Sequence, residues 1–235
     1  MAAGDEAIIL AGGFGTRLRS ILPDVPKCMA LVQGKPFITH ILASLQFQGI
    51  NKVIVSVGYL KDQIINQIGS NFGNIEIIYA IENEPLGTGG AIKNSLRFCN
   101  AASVLVLNGD TYFPVNFKNL VEQHIRTNAE ISIAVKSLEN TSRYGKVFID
   151  EDYRITKFSE KAPDSGIGFI NGGIYQLDRK VAELMPEGKF SIENDFFKTA
   201  TDDLKIYAYV SDSEFLDIGI PEDYQQAQSI NLIIQ

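Results

Sequence analysis

Ala7-Ile8-Ile9-Leu10-Ala11-Gly12-Gly13-Phe14-Gly15-Thr16-Arg17-Leu18 runs from a short apolar segment straight into a glycine cluster. Four consecutive apolar residues bounded by turn residues read as a strand buried on both faces. Glycines directly after such a strand let backbone N–H groups approach phosphate oxygens with no Cβ in the way. The same glycines also suit a plain tight turn. No Gly-Lys-Ser/Thr follows, which excludes a Walker A loop. A Gly-x-Gly-x-x-Gly pattern begun at Gly13 and Gly15 needs a third glycine where Leu18 stands, which excludes the dinucleotide fingerprint.

Outward from this strand, β-rich runs alternate with segments of helical period, the pattern of parallel βαβ units. The spacing predicts strands at 52–57, 75–81, 104–107 and 131–136, and helices at 37–48, 61–68, 89–98 and 117–127. From Tyr144 to Tyr175 the spacing shortens, with β-type runs at 146–149, 154–158 and 172–177, which suggests an antiparallel excursion. Helices near 181–185 and 193–199, a strand at 206–210 and a closing helix from Pro221 follow. The fold class is α/β: a Rossmann-like mixed, mainly parallel sheet flanked by helices, with a small antiparallel excursion. One domain over 1–235 is expected, with parts at about 7–112 and 113–220. In such sheets ligands sit outside the carboxyl ends of the strands, here near Ala11, Glu82 and Asn108.

The 235 residues suffice for one substantial core, and 45% hydrophobic and 21% charged residues are ordinary for a globular chain. A formal charge of −7 argues against a nucleic-acid-wrapping surface, which needs clustered Lys and Arg. Cys28 and Cys99 are too few for a disulfide framework and read as reduced thiols. No apolar run is long enough to span a bilayer, and Met1 to Glu6 lacks the features of a signal peptide. Neither nucleic-acid binding nor membrane insertion is expected, and the expected compartment is the cytoplasm.

Several residues carry chemistry in this pattern. Arg17 can fork two phosphate oxygens, and Lys27, aimed by Pro26, adds a point charge; both also read as solvated surface cations. Leu86-Gly87-Thr88-Gly89-Gly90-Ala91 is a second glycine cluster, whose small residues could let a flat base lie against backbone, with Thr88 as helix cap. Glu82 and Glu84 precede it. A carboxylate can accept the adjacent N1–H and amino group of guanine, whereas uracil and thymine offer one donor there; two solvated acids are an equal alternative. Asp110, in Asn108-Gly109-Asp110, and Asp217, in Phe215-Leu216-Asp217-Ile218-Gly219, are hard oxygen ligands suited to Mg²⁺. Glu160 could accept hydroxyls, Lys161 could pair with a phosphate, Asn171 could bridge hydroxyls, and Tyr144-Gly145 offers close backbone approach. Each also reads as a turn or surface residue. His40 and His124 lie on expected helices with no nucleophile motif nearby and read as structural.

Taken together, the motifs resemble the sugar-phosphate nucleotidyltransferase family across essentially the whole chain. Its Gly-Gly-x-Gly-Thr-Arg-Leu loop and following Pro-Lys are matched by Gly12 to Leu18 and Pro26-Lys27. Residues 84–91, Asn108-Gly109-Asp110 and 217–224 look most like the members that use GTP and a heptose 1-phosphate, with users of mannose 1-phosphate next. The resemblance implies that Leu10, Ala11, Gly12, Gly13, Gly15, Thr16, Glu84, Gly87, Thr88, Gly89, Asn108 and Asp110 hold the nucleotide. It implies that Arg17 and Lys27 act on its phosphates, that Asp110 and Asp217 hold Mg²⁺, and that Gly145, Glu160, Lys161 and Asn171 hold the sugar phosphate. Cys28 departs from the family, where many relatives have a second proline. The implied reaction is attack of a sugar 1-phosphate oxygen on the α-phosphorus of a nucleoside triphosphate, releasing pyrophosphate and forming a GDP-sugar for surface polysaccharide. A phosphate dianion needs no general base, so catalysis rests on positioning and charge stabilisation. A homodimer is the assembly considered. Alternatives are mannose 1-phosphate guanylyl transfer, uridylyl or thymidylyl transfer, and an inactive nucleotide-sensing homologue.

Overall fold

The computed structural model describes residues 5–13, 15, 18, 22–159 and 166–229. In chain order the strands are β1 (Glu6–Leu10), β2 (Leu31–Val32), β3 (Lys35–Pro36), β4 (Lys52–Val57), β5 (Asn71–Phe72), β6 (Ile75–Ile81), β7 (Ser103–Asn108), β8 (Thr111–Tyr112), β9 (Ile131–Leu138), β10 (Lys146–Ile149), β11 (Ile155–Ser159), β12 (Gly168–Asp178), β13 (Ile206–Val210) and β14 (Leu216–Asp217). The α-helices are α1 (Phe37–Phe47), α2 (Lys61–Ile68), α3 (Gly87–Ser95), α4 (Phe117–Arg126), α5 (Lys198–Ala200) and α6 (Pro221–Ala227).

Successive side chains on a strand point to opposite faces. On β1, Ala7 and Ile9 accordingly pack with α1, α2, α4 and α6, while Ile8 packs with α3 and the segment from Val181 to Ala200. Helices thus cover both faces of a mixed sheet, as the alternation of the sequence predicts. The helices follow their residues: α1 buries Phe37, Ile38, Ile41, Leu42 and Leu45 at helical spacing. Asn116 caps α4 by accepting the Asn119 N–H at 2.9 Å.

The sheet runs β11-β10-β12-β7-β1-β4-β6-β5, with β9 and β13 continuing from β12. Strands β7, β1, β4 and β6 are mutually parallel. The first strand therefore lies between the second in sequence (β4) and the fourth (β7), and strand order reverses at the β1/β7 boundary. A crevice at the carboxyl ends of strands is expected at that reversal.

The antiparallel part is larger than the spacing suggests. Strand β12 reaches eleven residues, because its residues serve three neighbours in turn. Phe169 and Ile170 pair with β10, and Ile174 to Asp178 pair with β7 along the same edge. On its other edge β12 pairs with β9, with a register break between Asn171 and Tyr175. Asn171-Gly172-Gly173 is thus a fork where β10 and β7 part. Gly173 has a φ of +71°, and a Cβ on Gly172 would lie 2.5 Å from the Phe113 ring, so both places need glycine.

Boundaries elsewhere shift by a few residues. Helix α3 begins at Gly87, two residues early, and passes into a 3₁₀ turn at Leu96–Phe98. The segment expected as a helix near 181–185 is a 3₁₀ turn, Arg179–Glu183, and that near 193–199 is a π-helical turn, Ile192–Phe197, continued by α5. The two-residue strands carry too few residues to show a period.

Candidate functional site

The reversal at β1/β7 sets two loops side by side. After β1, the Ala11 N–H reaches the Ser56 carbonyl on β4 at 2.8 Å. After β7, the Gly109 N–H donates to the Leu10 carbonyl at 2.9 Å, and a Cβ on Gly109 would lie 2.5 Å from that oxygen. The glycine loop and Asn108-Gly109-Asp110 are therefore one surface. Leu10, Ala11, Gly13, Gly15 and Lys27 line a cavity of about 170 Å³ there, together with Asp110. Gly13 is exposed and a Cβ on it would meet nothing, whereas Gly15 takes a φ of +57° above the Lys27 side chain. Gly12 faces inward: a Cβ on it would meet the Glu82 carboxylate.

Lys27 opens a 3₁₀ turn after Pro26 and is largely buried. Its ammonium contacts Asp110 Oδ2 at 2.5 Å and Asp217 Oδ1 at 3.4 Å. The short antiparallel pair β8–β14 aligns Thr111 with Asp217, and the Ile218 N–H donates to the Asp110 carbonyl at 3.0 Å. Two remote stretches of sequence are thereby locked together. Burial raises the Asp217 carboxyl above its ordinary value, the Asp110 charge adds to this, and Lys27 opposes both. Two carboxylates able to share one ammonium can also share one small cation, and hard oxygen donors suit Mg²⁺. Among the described residues no group of three or more His, Cys, Asp or Glu gathers as a metal cluster. Phosphate oxygens and water would therefore supply the remaining ligands. Cys28 is buried beside this pair, and burial first, then the Asp110 charge, pushes its thiol up to about 12.

A second cavity, of about 920 Å³, opens in the fork of the sheet. Asn108 and Asp110 close one end; Gly145 and Lys146 line the β10 side, and Asn171 and Gly173 the β12 side. Asp110 lines both cavities, and Asp217 the larger one. The Asn171 amide donates to the Tyr175 hydroxyl at 2.8 Å, and its oxygen accepts the Gly173 N–H at 2.9 Å, so this side chain braces the fork. Gly145 is needed for close passage, since a Cβ there would lie 2.8 Å from the Ser159 carbonyl.

The second glycine cluster has a different surrounding from the one expected. Gly87 has a φ of +69°, and a Cβ on it would lie 2.5 Å from the Phe190 carbonyl oxygen; at Gly89 a Cβ would overlap the Phe190 ring. The need for glycine is met by protein packing. Thr88 is not the helix cap, because Leu86 holds that position. Its hydroxyl instead accepts the Ile192 N–H at 2.9 Å and contacts Glu193 at 3.1 Å. Glu82 is also engaged, accepting the Ser56 hydroxyl at 2.9 Å and the Leu86 N–H at 3.0 Å, while Glu84 stays exposed.

Thr16, Arg17, Glu160 and Lys161 lie outside the described residues. Arg143, Glu193, Asn194 and Lys198 line the larger cavity and were missed from sequence. Arg143 adjoins the Tyr144-Gly145 pair and ion-pairs with Asp223 of α6. Its one sequence signal is that adjacency. Tyr144 packs edge-on against Phe215, which packs likewise on Phe113. Both histidines serve the framework. His40 contacts the Val32 carbonyl at 3.0 Å, and His124 lies buried between Ser132 and Asp178.

A family model described as Nucleotidyl transferase matches residues 6–232. The D-glycero-alpha-D-manno-heptose 1-phosphate guanylyltransferase of Aneurinibacillus thermoaerophilus is 44% identical over 224 residues, covering 95% of this chain and 96% of that protein. The protein of the same description from Campylobacter jejuni is 42% identical, covering 93% and 96%. Among solved structures, HddC from Yersinia pseudotuberculosis complexed with GMP-PN superposes with a TM-score of 0.84 at 39% identity, covering 95% of this chain and 97% of that one. The chain belongs to the nucleotidyl transferase family. It is a nucleotidyltransferase enzyme built on a Rossmann-like sheet.

Proposed function

We propose that the protein transfers a guanylyl group from GTP to a sugar 1-phosphate, D-glycero-α-D-manno-heptose 1-phosphate in the first instance, releasing pyrophosphate and forming a GDP-sugar. The observation that carries this reading is that two cavities meet at Asp110, a small one walled by the glycine loop and Lys27 and a large one in the fork. A reaction that joins two phosphorylated ligands needs two compartments sharing one charged boundary. The likeness to the Aneurinibacillus and Campylobacter enzymes supports GTP and the heptose 1-phosphate as the pair.

In this reading residues 7–112 hold the nucleotide and residues 113–220 the sugar phosphate. Backbone N–H groups at Gly12, Gly13, Gly15 and Thr16 bind the triphosphate, with Arg17 and Lys27 neutralising its charge. Glu84 accepts the two adjacent donors of guanine beside Gly87 and Gly89. Gly145, Glu160, Lys161 and Asn171 orient the sugar phosphate, whose own oxygen is the nucleophile. Asp110 and Asp217 would hold Mg²⁺, which when bound polarises the transferred phosphate and stabilises the leaving pyrophosphate. The product would feed surface-polysaccharide synthesis, and the reaction belongs in the cytoplasm, where GTP is available.

The test is pyrophosphate release by the purified protein with Mg²⁺, each common nucleoside triphosphate and a panel of sugar 1-phosphates. GTP with the heptose 1-phosphate is expected to give the highest kcat/KM. Turnover with thymidine or uridine triphosphate and none with GTP would sink the Glu84 assignment. A preference for mannose 1-phosphate would replace the sugar and leave the transfer intact.

A further inference from the structure

Glu193 is a carboxylate of the fork cavity that the phosphate-transferring group does not use. It stands in the π-helical turn Ile192–Phe197, opened by Ser191, whose side chain accepts the Asn194 N–H. Such turns are rare and occur frequently at functional sites. Glu193 Oε1 accepts the Tyr175 hydroxyl at 3.3 Å, and Oε2 accepts the hydroxyls of Thr88 at 3.1 Å and Ser191 at 3.0 Å.

These partners decide what the carboxylate can still do. An ionised carboxylate offers about four acceptor positions. Oε2 receives two hydroxyls and Oε1 one, so the vacant position belongs to Oε1, on a side chain that lines the cavity. Asp110 and Asp217 are both paired with Lys27, whereas Glu193 forms no ion pair among the described residues. Its hydroxyl partners fix its geometry. A group of that kind suits a neutral O–H donor, with a charge-assisted bond about twice as strong as a neutral one.

The aim of Glu193 is set from the other half of the molecule. The Gly89 N–H donates to the Phe190 carbonyl, and the Phe190 N–H to the Leu86 carbonyl, each at 3.0 Å. Thr88 adds its bond to the Ile192 N–H. The segment before Glu193 is thereby stitched to the start of α3.

We infer that Glu193 is a specificity-determining residue that accepts a sugar hydroxyl in the fork cavity, and that Thr88 is its positioning residue. This rests on the reading of the cavity as the sugar 1-phosphate site. Steady-state kinetics test it, using GTP with the heptose 1-phosphate and with mannose 1-phosphates lacking one hydroxyl at a time. Glu193→Gln is expected to raise the sugar KM about 10-fold or more, with the GTP KM changed less than about 2-fold. Thr88→Val should shift the sugar KM in the same direction by a smaller factor, and Thr88→Ser should restore it. On one deoxy substrate the wild type and Glu193→Gln should become equal, which a merely structural role would not produce. Should Glu193→Gln fail to fold, Glu193→Asp carries the same comparison. An unchanged sugar KM, or an equal penalty on every deoxy substrate, overturns the inference. A wild type that releases no pyrophosphate with any sugar 1-phosphate overturns the underlying reading, and the inference with it.

Discussion

The two glycine clusters look alike in sequence and differ in what approaches them. At the first, Gly13 faces open space in a small cavity, and Gly15 turns the chain above Lys27. At the second, Gly87 and Gly89 are pressed against Phe190. A glycine cluster reports close approach by something, and sequence does not say whether that is a ligand or the protein itself. The same division holds for polar groups. Lys27 lines a cavity, whereas Glu82 and His124 are consumed by internal hydrogen bonds.

The largest expected effect falls on the cavity-facing side. Lys27→Ala and Asp110→Ala should each lower pyrophosphate release by at least about 10³-fold while leaving the circular dichroism spectrum unchanged. Near-normal release by either variant would remove that residue from the site. On the protein-facing side, Gly87→Ala combines a positive φ with a clash against backbone. It should destabilise the fold by about 2–4 kcal/mol in urea titration. A loss below about 1 kcal/mol would mean that the Phe190 strap gives way easily.

His124 sharpens the division through pH. Burial lowers its pKa, outweighing the bond to Asp178, which raises it. A histidine depressed in the folded state contributes stability that is present above its unfolded value near 6.5 and lost as pH falls through the folded value. Urea midpoints should therefore decline below about pH 6.5, and His124→Gln should flatten that part of the profile. Glu6 does not interfere, because its loss comes lower. Burial would raise its carboxyl, but the Ala101 N–H, Lys52 and the Asn100 N–H together lower it below 4.5. An equal slope in wild type and variant above pH 5 would assign the acid sensitivity to another group. The smallest effect belongs to Gly13→Ala, within about 0.5 kcal/mol of wild type, with loss visible in the KM for GTP.

The parallel half was legible because each of its elements carries a complete period. Ala7 to Leu10, Lys52 to Val57 and the face Phe37, Ile38, Ile41, Leu42, Leu45 each announce themselves. The candidate-site residues legible in sequence were those that end such elements, namely the described glycines after β1 and Asp110 after β7. Asp217 was legible as an acid inside an apolar run, but its partner strand β8 is two residues long and has no pattern. The fork was visible as Asn171-Gly172-Gly173 and its meaning was not, since a strand that changes neighbours looks like any other strand. Glu193 gave no signal because its place depends on Thr88 and Tyr175, which are remote in sequence and nearby once α3 and β12 are docked.

Lys27 between Asp110 and Asp217 has a consequence for the charge of the resting site. Two half-buried carboxylates held this close repel one another unless a cation lies between them. Here the chain brings its own counter-ion, the Lys27 ammonium. In the function proposed above, a divalent cation held by those carboxylates would compete with the ammonium, which would then be free to pair with a phosphate. One ammonium set against two carboxylates leaves one negative charge over, so the resting pair still favours a further cation.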